Sequence, residues 1–145
     1  MVDSRLAPYG LFFIRAALGA MFISHALLKY VVFTIPGFAG FLGQLGYPAA
    51  LAWPIFLAEL LGGAAILVGF YGRWVQAALL PVLVGALLVH APNGWLFTAQ
   101  SGGWEYPAFL VVAAVTHILA GDGAFAVRPV GLPFLSGPAL SPRTA

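Results

Sequence analysis

Four long apolar stretches, separated by short breaks rich in glycine, proline and polar residues, constrain this chain more than any other feature. They run from Tyr9 to Phe33, from Ala50 to Tyr71, from Trp74 to Ala91 and from Trp104 to Gly121. A hydrocarbon core of about 30 Å asks for roughly 20 such residues per helix, so each stretch reads as one crossing of a bilayer, the fourth being the shortest. Composition points the same way. Of 145 residues, 62% are hydrophobic and only 7% charged, too little polar material to coat a soluble globule. The expected fold is an all-α membrane protein, a four-transmembrane-helix bundle with a short interfacial helix between the first two spans.

The breaks carry their own signals. Pro8 suits the first turn of a helix, where its missing N–H has no partner to lose. Gly72-Arg73 stops the second span, Pro92-Asn93-Gly94 reads as a turn after the third, and Gly121-Asp122-Gly123 ends the fourth. Between the first two spans, Phe38, Phe41, Leu42 and Leu45 recur at helical spacing within Thr34–Ala49, as in a half-helix lying at the interface. From Arg128 onward, Pro129, Pro133, Pro138 and Pro142 with Gly131 and Gly137 predict an irregular segment. The expected organisation is a transmembrane domain over residues 1–121 and an irregular, proline-rich cytoplasmic tail over 122–145.

Several function classes fall away. Without cysteine there is no disulfide, thiolate metal site or dithiol chemistry. A net charge of +2 carried by six scattered basic residues gives no nucleic-acid footprint. The start of the chain lacks a basic region followed by a small-residue cleavage site, so the first span is expected to stay. Arg5, Arg73, Arg128 and Arg143 flank the spans on one side, while the other two connections hold no lysine or arginine. The positive-inside rule then puts both termini in the cytoplasm, with Trp53, Trp95 and Trp104 at the outer interface and Trp74 at the inner one.

The ionisable residues inside the spans are the functional candidates. Arg15, Leu18, Phe22, His25 and Lys29 follow one another at intervals of three and four, forming a single stripe. A charged side chain facing lipid at depth costs on the order of 3 kcal/mol, so this stripe should face protein or water. At about 1.5 Å per residue, His25 and Glu59 each lie roughly 12 Å inside the outer end of their helices, which makes them natural partners. Lys29, His90, Asn93 and Glu105 form a shallower layer on the same side. In the inner half, Arg15 and Asp122 are expected to form a structural salt bridge, with His117 nearby. Gly62 and Gly63, next to the Glu59 turn, read as packing devices that admit a neighbouring helix.

Each candidate also has a structural reading, since a single polar residue in a membrane helix can simply specify packing. Five ionisable groups gathered at one face make an expensive packing device, which favours a ligand pocket formed by His25, Lys29, Glu59, His90, Asn93 and Glu105. His25, Glu59, His90 and Glu105 carry ligand types that suit zinc or iron, but no HxxxH or HExxH spacing joins them, so no metal site is assigned. A quinone needs only a hydrogen-bonding group beside an apolar cleft, which this layer can supply.

Taken in order, the motifs Arg15-Ala-Ala-Leu-Gly19 with His25 and Lys29, Pro36-Gly-Phe, Gly46-Tyr-Pro48, Ala58-Glu59 with Gly62-Gly63, Val89-His90 with Asn93-Gly94, and Gly102-Gly-Trp-Glu105-Tyr-Pro107 resemble the DoxX family. The resemblance covers residues 11 to 121. It implies a four-helix protein of the bacterial cytoplasmic (inner) membrane, and some relatives belong to oxidoreductase systems, among them the membrane subunit of an archaeal thiosulfate:quinone oxidoreductase. The expected function is a membrane subunit associated with a redox system, binding a quinone or another small ligand in an outward-facing polar pocket, with no covalent or thiolate-bound cofactor. Expected partners are the lipid bilayer and a larger membrane complex or redox partner. A non-enzymatic scaffold subunit, or a transporter of a small solute or protons, are the alternatives.

Overall fold

A computed structural model describes residues 3–127 and is entirely helical among them, without strands. Helix α1 (Ala7–Leu27) begins with Pro8 in its first turn and continues as a π-helical turn, Leu28–Val32. Helix α2 (Ile35–Gln44) follows, its first turn capped by Thr34, whose hydroxyl accepts from the Gly37 N–H at 3.3 Å. This is the short helix expected between the first two spans. A single 3-10 turn, Ala49–Leu51, leads into α3 (Ala52–Val68), and Gly69 closes that helix at φ +76, in the left-handed region that favours glycine. Helix α4 (Gly72–His90) carries Pro81 in its interior and ends in a 3-10 turn, Ala91–Asn93. A proline there removes one backbone hydrogen bond, which packed membrane helices tolerate. Helix α5 (Glu105–Ala120) is the last and, at 16 residues, the shortest of the four spans, as expected. The proline-rich stretch from Arg128 lies outside the described residues.

The four long helices pack in a ring, α1 against α3, α3 against α4, α4 against α5 and α5 back against α1. With short connections this is an up-down-up-down bundle. The α1/α3 seam is the closest, because glycines lie on both sides of it. A Cβ on Gly19 would sit 2.7 Å from the Leu67 backbone nitrogen, and one on Gly63 would sit 2.9 Å from the Phe22 Cβ. Gly62 faces the other way, toward Leu79 of α4. The paired glycines therefore serve two different neighbours. The α1/α5 seam is the thinnest of the four.

Leu18, Phe22, Ile66, Leu79, Leu83 and Ala114 form an apolar core through the middle of the ring. A second apolar cluster, with Phe38 and Leu42 of α2 among its members, closes one end. The exterior is apolar as well. Phe13, Leu61, Leu88 and Phe109, one on each spanning helix, are 69%, 64%, 63% and 68% exposed. Arg15, Glu59, Gln76 and His117 are meanwhile buried. Large apolar side chains outside and polar ones inside are the arrangement that lipid selects. The helices Ala7–Val32, Ala49–Val68 and Gly72–Asn93 are long and apolar enough to cross a bilayer, and α5 is a shorter apolar one. Trp53, Trp95 and Trp104 fall at the α2 end of the bundle and Trp74 at the opposite end.

Candidate functional site: a cleft at the alpha2 end

Lys29 lies within the π-helical turn that prolongs α1. Its Nζ donates to Glu59 Oε2 of α3 at 2.7 Å, and the two side chains are 15% and 5% exposed. The Phe38 ring of α2 lies 5.3 Å from the ammonium. The expected pairing of Glu59 with His25 is thus corrected. Lys29 is one turn nearer the end of the bundle, but its long side chain reaches back along the shared stripe, and a full cation attracts the carboxylate more strongly than a neutral imidazole does.

His25 turns instead toward α5. Its ring stacks on Tyr106, with centroids 6.2 Å apart and planes at 22°, and its Nδ1 lies 3.0 Å from the Met21 carbonyl oxygen. His90, at the end of α4, has its Nδ1 3.0 Å from the Gly102 carbonyl oxygen. The Asn93 amide donates to the same oxygen at 2.9 Å and to Ser101 O at 3.1 Å. Glu105 Oε1 accepts from the Phe97 N–H at 2.7 Å. Asn93 and Glu105 therefore hold the loop between α4 and α5 in place. Lys29 and His25 have exchanged the layers that helical rise assigned to them.

That loop is shaped by backbone contacts. The N–H groups of Trp104 and Glu105, which an isolated helix start leaves unpaired, donate to Gly94 O at 3.0 Å and Trp95 O at 3.1 Å. Gly103 lies against these carbonyls so closely that a Cβ would overlap the oxygens of Gly94, Trp95 and Leu96. Behind the loop lies a cleft of about 990 Å³, lined by His25, His90, Trp95, Phe97, Tyr106 and Phe109 among others. Phe109 and Val112 line it too and are 68% and 64% exposed, so it runs out onto the apolar outer face of α5.

A carbonyl oxygen only accepts hydrogen bonds. Each histidine bonded to one must therefore donate from Nδ1, so that in the neutral ring Nε2 is the acceptor. Both side chains line one cleft. Among the described residues no three histidine, aspartate or glutamate side chains gather as a metal site would require, and Glu59 and Glu105 are engaged elsewhere.

The opposite end holds a second polar group. The expected Arg15–Asp122 salt bridge is replaced by two other contacts. Asp122 Oδ1 accepts from His117 Nε2 at 2.9 Å, because Gly121 at φ +91 turns the chain back over the end of α5. Arg15 Nη2 donates to Ala124 O at 3.0 Å, and the guanidinium lies 5.5 Å from the Phe12 ring. The segment after α5 passes beneath α1, with Ala124 N–H donating to Pro8 O and Val127 N–H to Val68 O. Arg73 donates to the Ile118 and Leu119 carbonyls and so caps the C-terminal end of α5. Gln76, fully buried on α4, belongs to this end and escaped the sequence reading because it carries no charge. Its only sequence signal was an amide inside the third apolar stretch.

An up-down-up-down helical bundle, apolar outside, with polar groups gathered at both ends and an open cleft at one of them, defines a small multi-pass membrane protein. Residues 10–92 match the DoxX family model, and the chain belongs to the DoxX family. That match contains His25, Lys29, Glu59 and His90 and stops before Asn93 and Glu105. The chain is also similar to a Bacillus subtilis (strain 168) protein described as "Putative oxidoreductase CatD", with 27% identity over 120 residues, covering 83% of this chain and 85% of that one. No solved structure matches.

Proposed function

We propose that the protein is a membrane subunit associated with a redox system, and that its cleft binds a quinone or another small membrane-soluble ligand. The observation that carries this reading is a cleft, apolar in most of its lining and continuous with the lipid-facing side of α5, to whose wall α1 and α4 contribute the imidazoles of His25 and His90. Such clefts, mostly apolar with a few placed polar groups, are what small-molecule sites look like. The relative's description as an oxidoreductase supports the redox context. Arg5 and Arg73 lie at the end away from the cleft, which by the positive-inside rule turns the cleft outward and both termini toward the cytoplasm of a bacterial cell. In this reading residues 1–121 form the transmembrane domain and His25, His90 and Tyr106 touch the ligand. Lys29, Glu59, Asn93 and Glu105 support the walls of the site.

Titration of the full chain in lipid nanodiscs with a decyl-substituted benzoquinone and with its hydroquinone tests the proposal. Saturable binding of at least one of them, weakened in both His25→Ala and His90→Ala, is expected. No binding, or affinity unchanged in both variants, sinks it. The scaffold alternative draws on one observation, that Asn93 and Glu105 spend their polar groups on the loop. It predicts a stoichiometric partner retained after both histidines are replaced.

A further inference from the structure

We infer that the cleft selects a ligand that brings hydrogen-bond donors to it, a flat dihydroxyaromatic amphiphile, and discriminates against the corresponding dicarbonyl. This inference rests on the reading of the cleft as a ligand site and concerns which chemical form that site prefers.

The argument begins with the backbone. Met21 O and Gly102 O each accept from an Nδ1–H, so in the neutral rings of His25 and His90, both of which line the cleft, the lone pair is on Nε2. A ligand carbonyl also offers only lone pairs. Facing either histidine, it leaves two acceptors opposed and unpaired in an apolar surround, which is costly. A hydroxyl in the same place donates to Nε2 and satisfies both groups.

The geometry also favours a flat ring with an apolar tail. Tyr106 already stacks on His25, and Trp95 and Phe97 add further aromatic walls. Phe109 and Val112 carry the cleft onto the outer face of α5, where an alkyl substituent lies against residues that are 68% and 64% exposed.

The test uses the full chain in nanodiscs and three probes with the same decyl tail: the benzoquinone, its two-electron-reduced hydroquinone, and the di-O-methyl ether of the hydroquinone. The hydroquinone is expected to bind about 10-fold or more tightly than either of the others, since both lack the donors. In His25→Phe and His90→Phe that preference shrinks toward unity, because the ring shape is kept and the acceptor removed. Equal affinity for all three probes, or tighter binding of the quinone, overturns the donor requirement and leaves the cleft itself standing as a ligand site. Failure of all three to bind overturns both. The comparison among the three probes on the unaltered chain stands without any variant having to fold.

Discussion

The two ends of the bundle hold similar numbers of polar side chains and treat them in opposite ways. At the α2 end Lys29 is matched by Glu59, and His25 and His90, whose Nε2 nitrogens have no partner among the described residues, line an open cleft. At the far end Arg15, Gln76 and His117 are all within 1% of complete burial, yet Arg15 Nε and Nη1, both amide atoms of Gln76 and His117 Nδ1 have no hydrogen-bond partner among the described residues. An unpaired polar atom that is accessible is an opportunity for a ligand, whereas a buried one is a cost carried by the fold. Between the two ends lies the apolar core of Leu18, Phe22, Ile66, Leu79, Leu83 and Ala114, so no polar side chain joins them. That division weakens the transport alternative, which needs a continuous path.

The contrast can be broken by mutation. The largest effect is expected for Glu59→Ala, which strands the Lys29 ammonium in a nearly closed site and should cost about 3 kcal/mol. Thermal unfolding in mild detergent reads it, and the double variant Lys29→Met with Glu59→Leu should recover most of the loss. A single variant as stable as the parent would show that the pair is not buried as described. Gly69→Ala comes next, at roughly 2 to 3 kcal/mol, because residue 69 sits at φ +76 and its Cβ would overlap Arg15 Nη1. The same melting assay decides, and a small shift would mean that Arg15 can move aside.

Smaller effects separate the ends by what they change. His90→Phe is expected to weaken hydroquinone binding about 10-fold while costing about 1 kcal/mol of stability, the worth of its bond to Gly102. Binding isotherms and melting curves on one preparation show whether the two effects part. Gln76→Leu should do the reverse, leaving affinity unchanged and raising stability by about 1 kcal/mol, since neither amide atom has a partner to lose. A destabilised Gln76→Leu would show that the far end has partners of its own, and the comparison would have to be redrawn.

Much of this was legible in the sequence. Four apolar stretches gave the spans, the breaks at Gly72 and at Pro92-Asn93-Gly94 located the turns, and the stripe through Arg15 and Lys29 found the polar side of α1. What helical arithmetic could not provide was partner choice. His25 and Lys29 share a stripe one turn apart, and only side-chain reach and charge decide which of them meets Glu59. For Arg15 the miss was of another kind. The bend at Gly121 brings Asp122 back to His117, a local return that counting residues along α5 does not reveal. Tyr106 went unremarked because an aromatic near a helix start is ordinary, and its significance depends on the ring of His25 lying parallel above it.

The thin α1/α5 seam has a consequence for how the molecule is made. Of the four spans described, α1 leaves the ribosome before the other three and α5 after them, so the wall that carries His25 waits in the bilayer until three more helices have arrived. The Lys29–Glu59 pair can form as soon as α3 is inserted, but the cleft needs Tyr106 and the loop before it. The cleft is therefore the last of these features to assemble. A chain interrupted before α5 would carry its ion pair and two of its histidines and have no cleft for a ligand to enter.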